Sequence, residues 1–76
     1  MAVIKPIHYS KLVRIFELDG WLHSRTKGDH LSLIKPGCKR PVVIPKWHIV
    51  PVFIIQNNMR TAGMSRERYL ELLAQV

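Results

Sequence analysis

Two prolines, Pro41 and Pro45, enclose Val42, Val43 and Ile44, and no other short segment limits the fold so much. A β-branched run is stiff at χ1 and suits a pleated, half-buried surface. Proline has no ladder donor and belongs at strand ends. The spacing therefore predicts a short strand, and a strand needs partners. His30 to Ile34 alternates, with Leu31 and Leu33 on one face, and Trp21 to Thr26 alternates bulky with small or polar side chains. Lys27, Gly28 and Asp29 between these two runs are turn chemistry, so they join into a hairpin. The result is a three-stranded antiparallel sheet with one apolar face, which helices must cover while the other face stays open to solvent.

The covering helices can be read on either side of the sheet. Ser10 offers a cap to a helix whose buried stripe is Leu12, Ile15 and Phe16, with Val13 beside it, and Gly20 can end that helix in the left-handed conformation. From Val50 to Arg60 the β-branched content favours strand, yet Val52, Ile55, Met59 and Ala62 recur at helical spacing. Pro51 is tolerable in a first turn and Gly63 is a terminator, so helix is the reading adopted. Ser65 caps a last helix with Glu67 in its first turn, Met64 placed to staple onto Tyr69, and Tyr69, Leu72, Leu73 and Val76 facing inward. The expected class is α+β: helix, three-stranded antiparallel sheet, helix, and a short C-terminal helix. With 76 residues, positions 1–76 are expected to form one domain.

Charge narrows the function. Twelve Lys and Arg against five Asp and Glu leave +7 with histidine neutral, which implies a polyanionic or strongly acidic partner. A lone cysteine, Cys38, allows no internal disulfide and points to a reducing, cytoplasmic setting. The longest apolar run, Ile49 to Ile55, is interrupted by Pro51 and far shorter than the ~20 residues of a membrane span. Met1 to Ile7 lacks the apolar stretch and cleavage site of a secretion signal, so neither membrane insertion nor export is expected.

The cations cluster at Arg25 and Lys27, at Lys35, Lys39 and Arg40, at Lys46, and at Arg60, Arg66 and Arg68. A basic surface beside the open sheet face would suit RNA backbone contact or an acidic protein equally well. His30, at the start of the second strand, lies where Lys27 and Arg25 can bring a phosphate, and Gly28 allows close backbone passage. A lone histidine is more often a hydrogen-bonded surface residue, and both readings stand on the residues alone. His48 reads first as structural, as a helix cap or an orienting group. His8, His23, His30 and His48 lack the one-turn spacing of a helical metal site, so no metal is expected. Trp21 reads as core; Trp47 is divided between core and a stacking platform for bases.

In order, Gly20-Trp21, then Arg25, Lys27, Gly28, Asp29 and His30, then Val43-Ile44-Pro45-Lys46-Trp47-His48, and finally Ala62-Gly63-Met64-Ser65 resemble the HicA family of small toxin ribonucleases. The resemblance runs from the Ser10 helix to Leu73. The family's usual pattern is Gly-Ser-His at the second strand; here Asp29 stands where the serine is common. The resemblance implies a double-stranded-RNA-binding-like fold and a cofactor-free toxin that cleaves mRNA, with His30 as the catalytic histidine. The cation clusters make Arg25, Lys27, Lys39, Arg40 and Lys46 the expected phosphate contacts and Gly28 and Asp29 structural or substrate-orienting neighbours of His30, and the resemblance gives His48 a structural or substrate-orienting role as well. It also implies a HicB-like antitoxin as partner. The competing expectations are a non-catalytic RNA-binding module and a small basic protein-interaction domain.

Overall fold

The helix, sheet and helix order read from patterning is the order found. The structure, a computed structural model, describes residues 3–76; Met1 and Ala2, part of the segment read above for export signals, lie outside the described residues. The elements are α1 (Tyr9–Leu18), β1 (Leu22–Lys27), β2 (His30–Ile34), β3 (Val42–Pro45), α2 (Val52–Ala62) and α3 (Arg66–Leu73). Among the described residues no helix is long and apolar enough to cross a membrane.

Helix α1 starts one residue before the expected Ser10 cap. His8 is the cap: its Nδ1 accepts from the Ser10 backbone N–H at 3.1 Å and lies 2.8 Å from the Ser10 hydroxyl. An aromatic acceptor two residues upstream thus does what a serine oxygen was expected to do, satisfying an orphan donor of the first turn. Leu12, Ile15 and Phe16 are fully buried, as their spacing requires. At the far end Gly20 takes φ +95°, and the Trp21 N–H turns back to the Phe16 carbonyl at 3.0 Å. That cap holds Trp21 against α1 and delays the strand: β1 begins at Leu22, not Trp21, and Trp21 plugs the core at 1% exposure, edge-on to Phe16 with ring centres 6.2 Å apart.

The sheet order is β1-β2-β3, antiparallel throughout. A register irregularity between His23 and Arg25 lets both ends of β1 stay paired with β2. Leu33, Val42 and Ile44 are buried under the helices, while Leu22, Ile34 and Val43 remain exposed on the open face. Helix α2 packs on β3, and α1 packs on both β3 and α3. Of the β-branched stretch from Val50 to Arg60 the part from Val52 onward is helical, with Ile55, Asn58 and Met59 buried and Gly63 at φ +66° closing it, while Val50 forms an isolated antiparallel bridge with Ile7. Pro51 is the cap itself, not part of the first turn. Asn58 explains part of the choice of helix, since its amide donates to the Val43 carbonyl at 2.9 Å. That bond occupies a carbonyl of the edge strand that would otherwise be open to another chain.

Ser65 caps α3 by accepting from the Arg68 N–H at 3.0 Å. The inner face is Tyr69 and Leu72, with Leu73 and Val76 partly buried. Burial pushes the Tyr69 phenol up to about 12, so it acts as a neutral, apolar body in the core. On the helical side Asp19 gathers cations: Arg68 Nε at 3.1 Å and Lys35 Nζ at 3.6 Å, while Arg68 Nη1 also reaches Glu71 at 2.8 Å. These hydrogen bonds, to Asp19 first and Glu71 second, hold the Arg68 guanidinium above its ordinary range.

Candidate functional site

The hairpin turn builds the site. Lys27 and His30 are directly opposed across a two-residue turn of Gly28 and Asp29. Gly28 has φ +60° and Asp29 does not share the positive φ, the pattern of a turn with glycine at its first central position, which matches the twist of the flanking strands. The tight turn fixes His30 as the first residue of β2, and His30 in turn pairs with Pro45 at the end of β3. The backbone N–H of Lys46 donates to the Asp29 carbonyl at 2.6 Å, so the exit of β3 is tied to the hairpin tip.

Residues directly opposite in a sheet share a face, and alternate residues along a strand share it too. By this register Arg25 and Lys27 of β1 lie on one face with His30 and Ser32 of β2. That face is the solvent-open one. His30 Nδ1 is 2.9 Å from Asp29 Oδ1, with the imidazole about half exposed. A carboxylate only accepts, so the geometry assigns the Nδ1 proton to this bond and leaves the Nε2 lone pair of a neutral ring directed elsewhere. Asp29, the departure from the Gly-Ser-His pattern, therefore contacts the histidine it precedes.

The local charge stays positive despite Asp29. Two other carboxylates, Asp19 and Glu71, are engaged with Lys35 and Arg68 on the helical side. Among the described residues no ion pair occupies Arg25, Lys27 or Lys46. The site can therefore hold a phosphate beside an imidazole that is free to take a proton.

The remaining residues named from sequence are not gathered at this point. Lys39 and Arg40 sit in the loop that leads into Val42, and Val42 pairs with Leu33, at the end of the sheet away from His30. The basic residues thus fall into two groups along the sheet. His48 packs edge-on against His8, ring centres 5.1 Å apart, next to the start of α1. This neighbour was missed from sequence, where His8 was weighed only as a metal ligand. Among the described residues no group of three His, Cys, Asp or Glu side chains is placed to hold a metal ion. A groove of about 480 Å³ lies along α1, lined by Tyr9, Val13, Leu31 and Val76 among others. Leu31 is on the opposite face of β2 from His30, so this groove is not the basic site.

The family model for the HicA toxin of bacterial toxin-antitoxin systems matches residues 9–64, from the first residue of α1 through the whole sheet to the end of α2. The chain belongs to the HicA toxin family. Membership supports a toxin role and RNA binding, and the matched span contains the hairpin, the Asp29-His30 pair and the Lys46 to His48 segment. No curated protein matches the chain.

Proposed function

We propose that this HicA-family chain is a metal-independent endoribonuclease that cuts mRNA, with His30 as general base, and that a HicB-like antitoxin protein holds it in check. The observation that carries the reading is the Asp29-His30 contact at 2.9 Å on a face with Arg25 and Lys27. Asp29 holds the Nδ1 proton, and Nε2 takes the proton of a ribose 2′-hydroxyl. The 2′-oxygen attacks the adjacent phosphorus as the bond from phosphorus to the 5′-oxygen breaks. That oxygen takes a proton from solvent, to which the site is open, and the imidazolium returns its proton to solvent. The products are a 2′,3′-cyclic phosphate and a 5′-hydroxyl.

Arg25, Lys27 and Lys46 neutralise the phosphate as charge gathers on its oxygens. Gly28 sets the tight turn that presents the histidine. Lys39 and Arg40, at the other end of the sheet, extend the track along the RNA backbone, and His48 supports the start of α1 through His8. The same cationic face would receive an acidic antitoxin surface, and covering it would exclude RNA. The reading needs no cofactor and no membrane, and a cytoplasmic setting suits both partners.

The reading is tested with purified protein and a labelled, largely unstructured mRNA in the presence of EDTA. Strand scission is expected. RNA binding without scission would replace the enzyme with a non-catalytic RNA-binding module, and failure to bind RNA at all would leave only a basic protein-interaction domain.

A further inference from the structure

We infer that Trp47 is a stacking platform for an unpaired nucleobase next to the phosphate held at His30, so that the site takes single-stranded RNA although the fold resembles a double-stranded-RNA binder. The inference rests on the ribonuclease reading for the identity of the phosphate site, but its own evidence is separate. The two tryptophans have opposite fates. Trp21 is 1% exposed, while Trp47 is 41% exposed and follows Lys46 directly in sequence.

Trp47 is also held in place. On one side the Lys46 N–H is bound to the Asp29 carbonyl at 2.6 Å, and on the other the Trp47 carbonyl accepts from the Tyr9 N–H at 3.3 Å. The segment is thus anchored both to the hairpin tip and to the start of α1. A ring presented from an anchored backbone loses little freedom on binding. Position follows from the register: Pro45 pairs with His30, and Trp47 is two residues further on, so the two backbones are within about 13 Å. A separation of that size is within the span of neighbouring nucleotides of one strand.

The occupant is fixed by chemistry. Lys46 beside Trp47 in sequence and Arg25 and Lys27 on the face of His30 draw in a phosphodiester backbone, while an indole offers a π-face that any base can cover. Inside a duplex the bases are already stacked on each other and give the indole nothing to hold.

The test uses full-length His30→Ala protein, which cannot consume the probe if the ribonuclease reading holds, and two probes of the same length, a single-stranded oligouridylate and an RNA duplex. Intrinsic fluorescence reports the ring directly, because Trp21 is sealed in the core. Single-stranded RNA is expected to quench the emission. In the double variant His30→Ala, Trp47→Ala that quenching is expected to disappear and affinity for the single strand to fall roughly 5- to 150-fold, the range for one lost base stack. Duplex affinity is expected to change less than twofold. Circular dichroism checks that the variant is folded, and Trp47→Phe, which keeps a ring, is expected to retain most of the affinity. Equal loss of affinity for both probes, or binding with no quenching, would overturn the inference. If the wild type proves unable to cut RNA yet quenching and its loss are seen, the platform stands and only the catalytic reading fails.

Discussion

His30→Ala is expected to lower the rate of RNA scission about 10²- to 10⁴-fold, the contribution of a positioned general base, with little change in RNA affinity. The argument is local. His30 is half exposed and its side chain contacts Asp29, so truncation is expected to remove a proton acceptor without opening the core. Surface truncations of this kind ordinarily shift stability by less than about 0.5 kcal/mol, so the thermal midpoint of the variant should match the wild type. The proposed phosphate contacts Arg25, Lys27 and Lys46 remain in this variant. Asp29→Ala is expected to do less damage and to act on kcat more than on KM, because the ring loses its orienting acceptor but keeps its nitrogen. A His30→Ala protein that cuts at the wild-type rate would move the chemistry elsewhere.

Trp21→Ala is expected to destabilise the fold by about 3–5 kcal/mol, the usual cost of truncating a large buried aromatic. Natural domains have only about 5–15 kcal/mol in total, so the variant is expected to lose a large share of its stability. Trp21 sits where the α1 cap, the first strand and Lys35 meet: its ring is edge-on to Phe16, and Lys35 Nζ lies 6.0 Å from the ring centre. Removing it leaves a cavity that no neighbour on the hydrogen-bonded α1 cap can collapse into. Trp21→Phe should cost much less, since the indole Nε1 is buried without a hydrogen-bond partner and phenylalanine removes that orphan donor. Urea denaturation followed by circular dichroism measures both. A Trp21→Ala midpoint equal to that of Trp21→Phe would show that the indole is not a structural keystone.

The element order was legible because periodicity and punctuation agreed. Pro41 and Pro45 marked β3, Gly28 and Asp29 marked the hairpin, and Ser65 marked α3. Where two local signals competed, the tertiary fold chose between them. Val52, Ile54 and Ile55 favour strand, but the helix buries Ile55 and Met59 and lets Asn58 reach the Val43 carbonyl. Ser10 looked like the cap because serine usually is; His8 outcompeted it through a ring nitrogen that propensities do not weigh.

The candidate site was legible in part. Proximity of Lys27 and His30 follows from a two-residue turn, and the pairing of His30 with Pro45 brings Lys46 close. The separation of Lys39 and Arg40 from His30 depends on strand register, which local composition does not encode. The contact between Asp29 and His30 depends on two rotamers, and a sequence gives the adjacency but not the orientation. The family resemblance supplied what the residues alone could not, namely which histidine to single out.

The central claim is that a ribose 2′-hydroxyl is the nucleophile and His30 its base. The most direct measurement places a single 2′-deoxynucleotide at a mapped cleavage position of an RNA oligonucleotide, in EDTA, and follows scission at that linkage. The account requires the all-RNA strand to yield a 2′,3′-cyclic phosphate end and the substituted linkage to stay intact while neighbouring sites are still cut. Cleavage of the substituted linkage at an undiminished rate would contradict it, because the attacking oxygen would then have come from water.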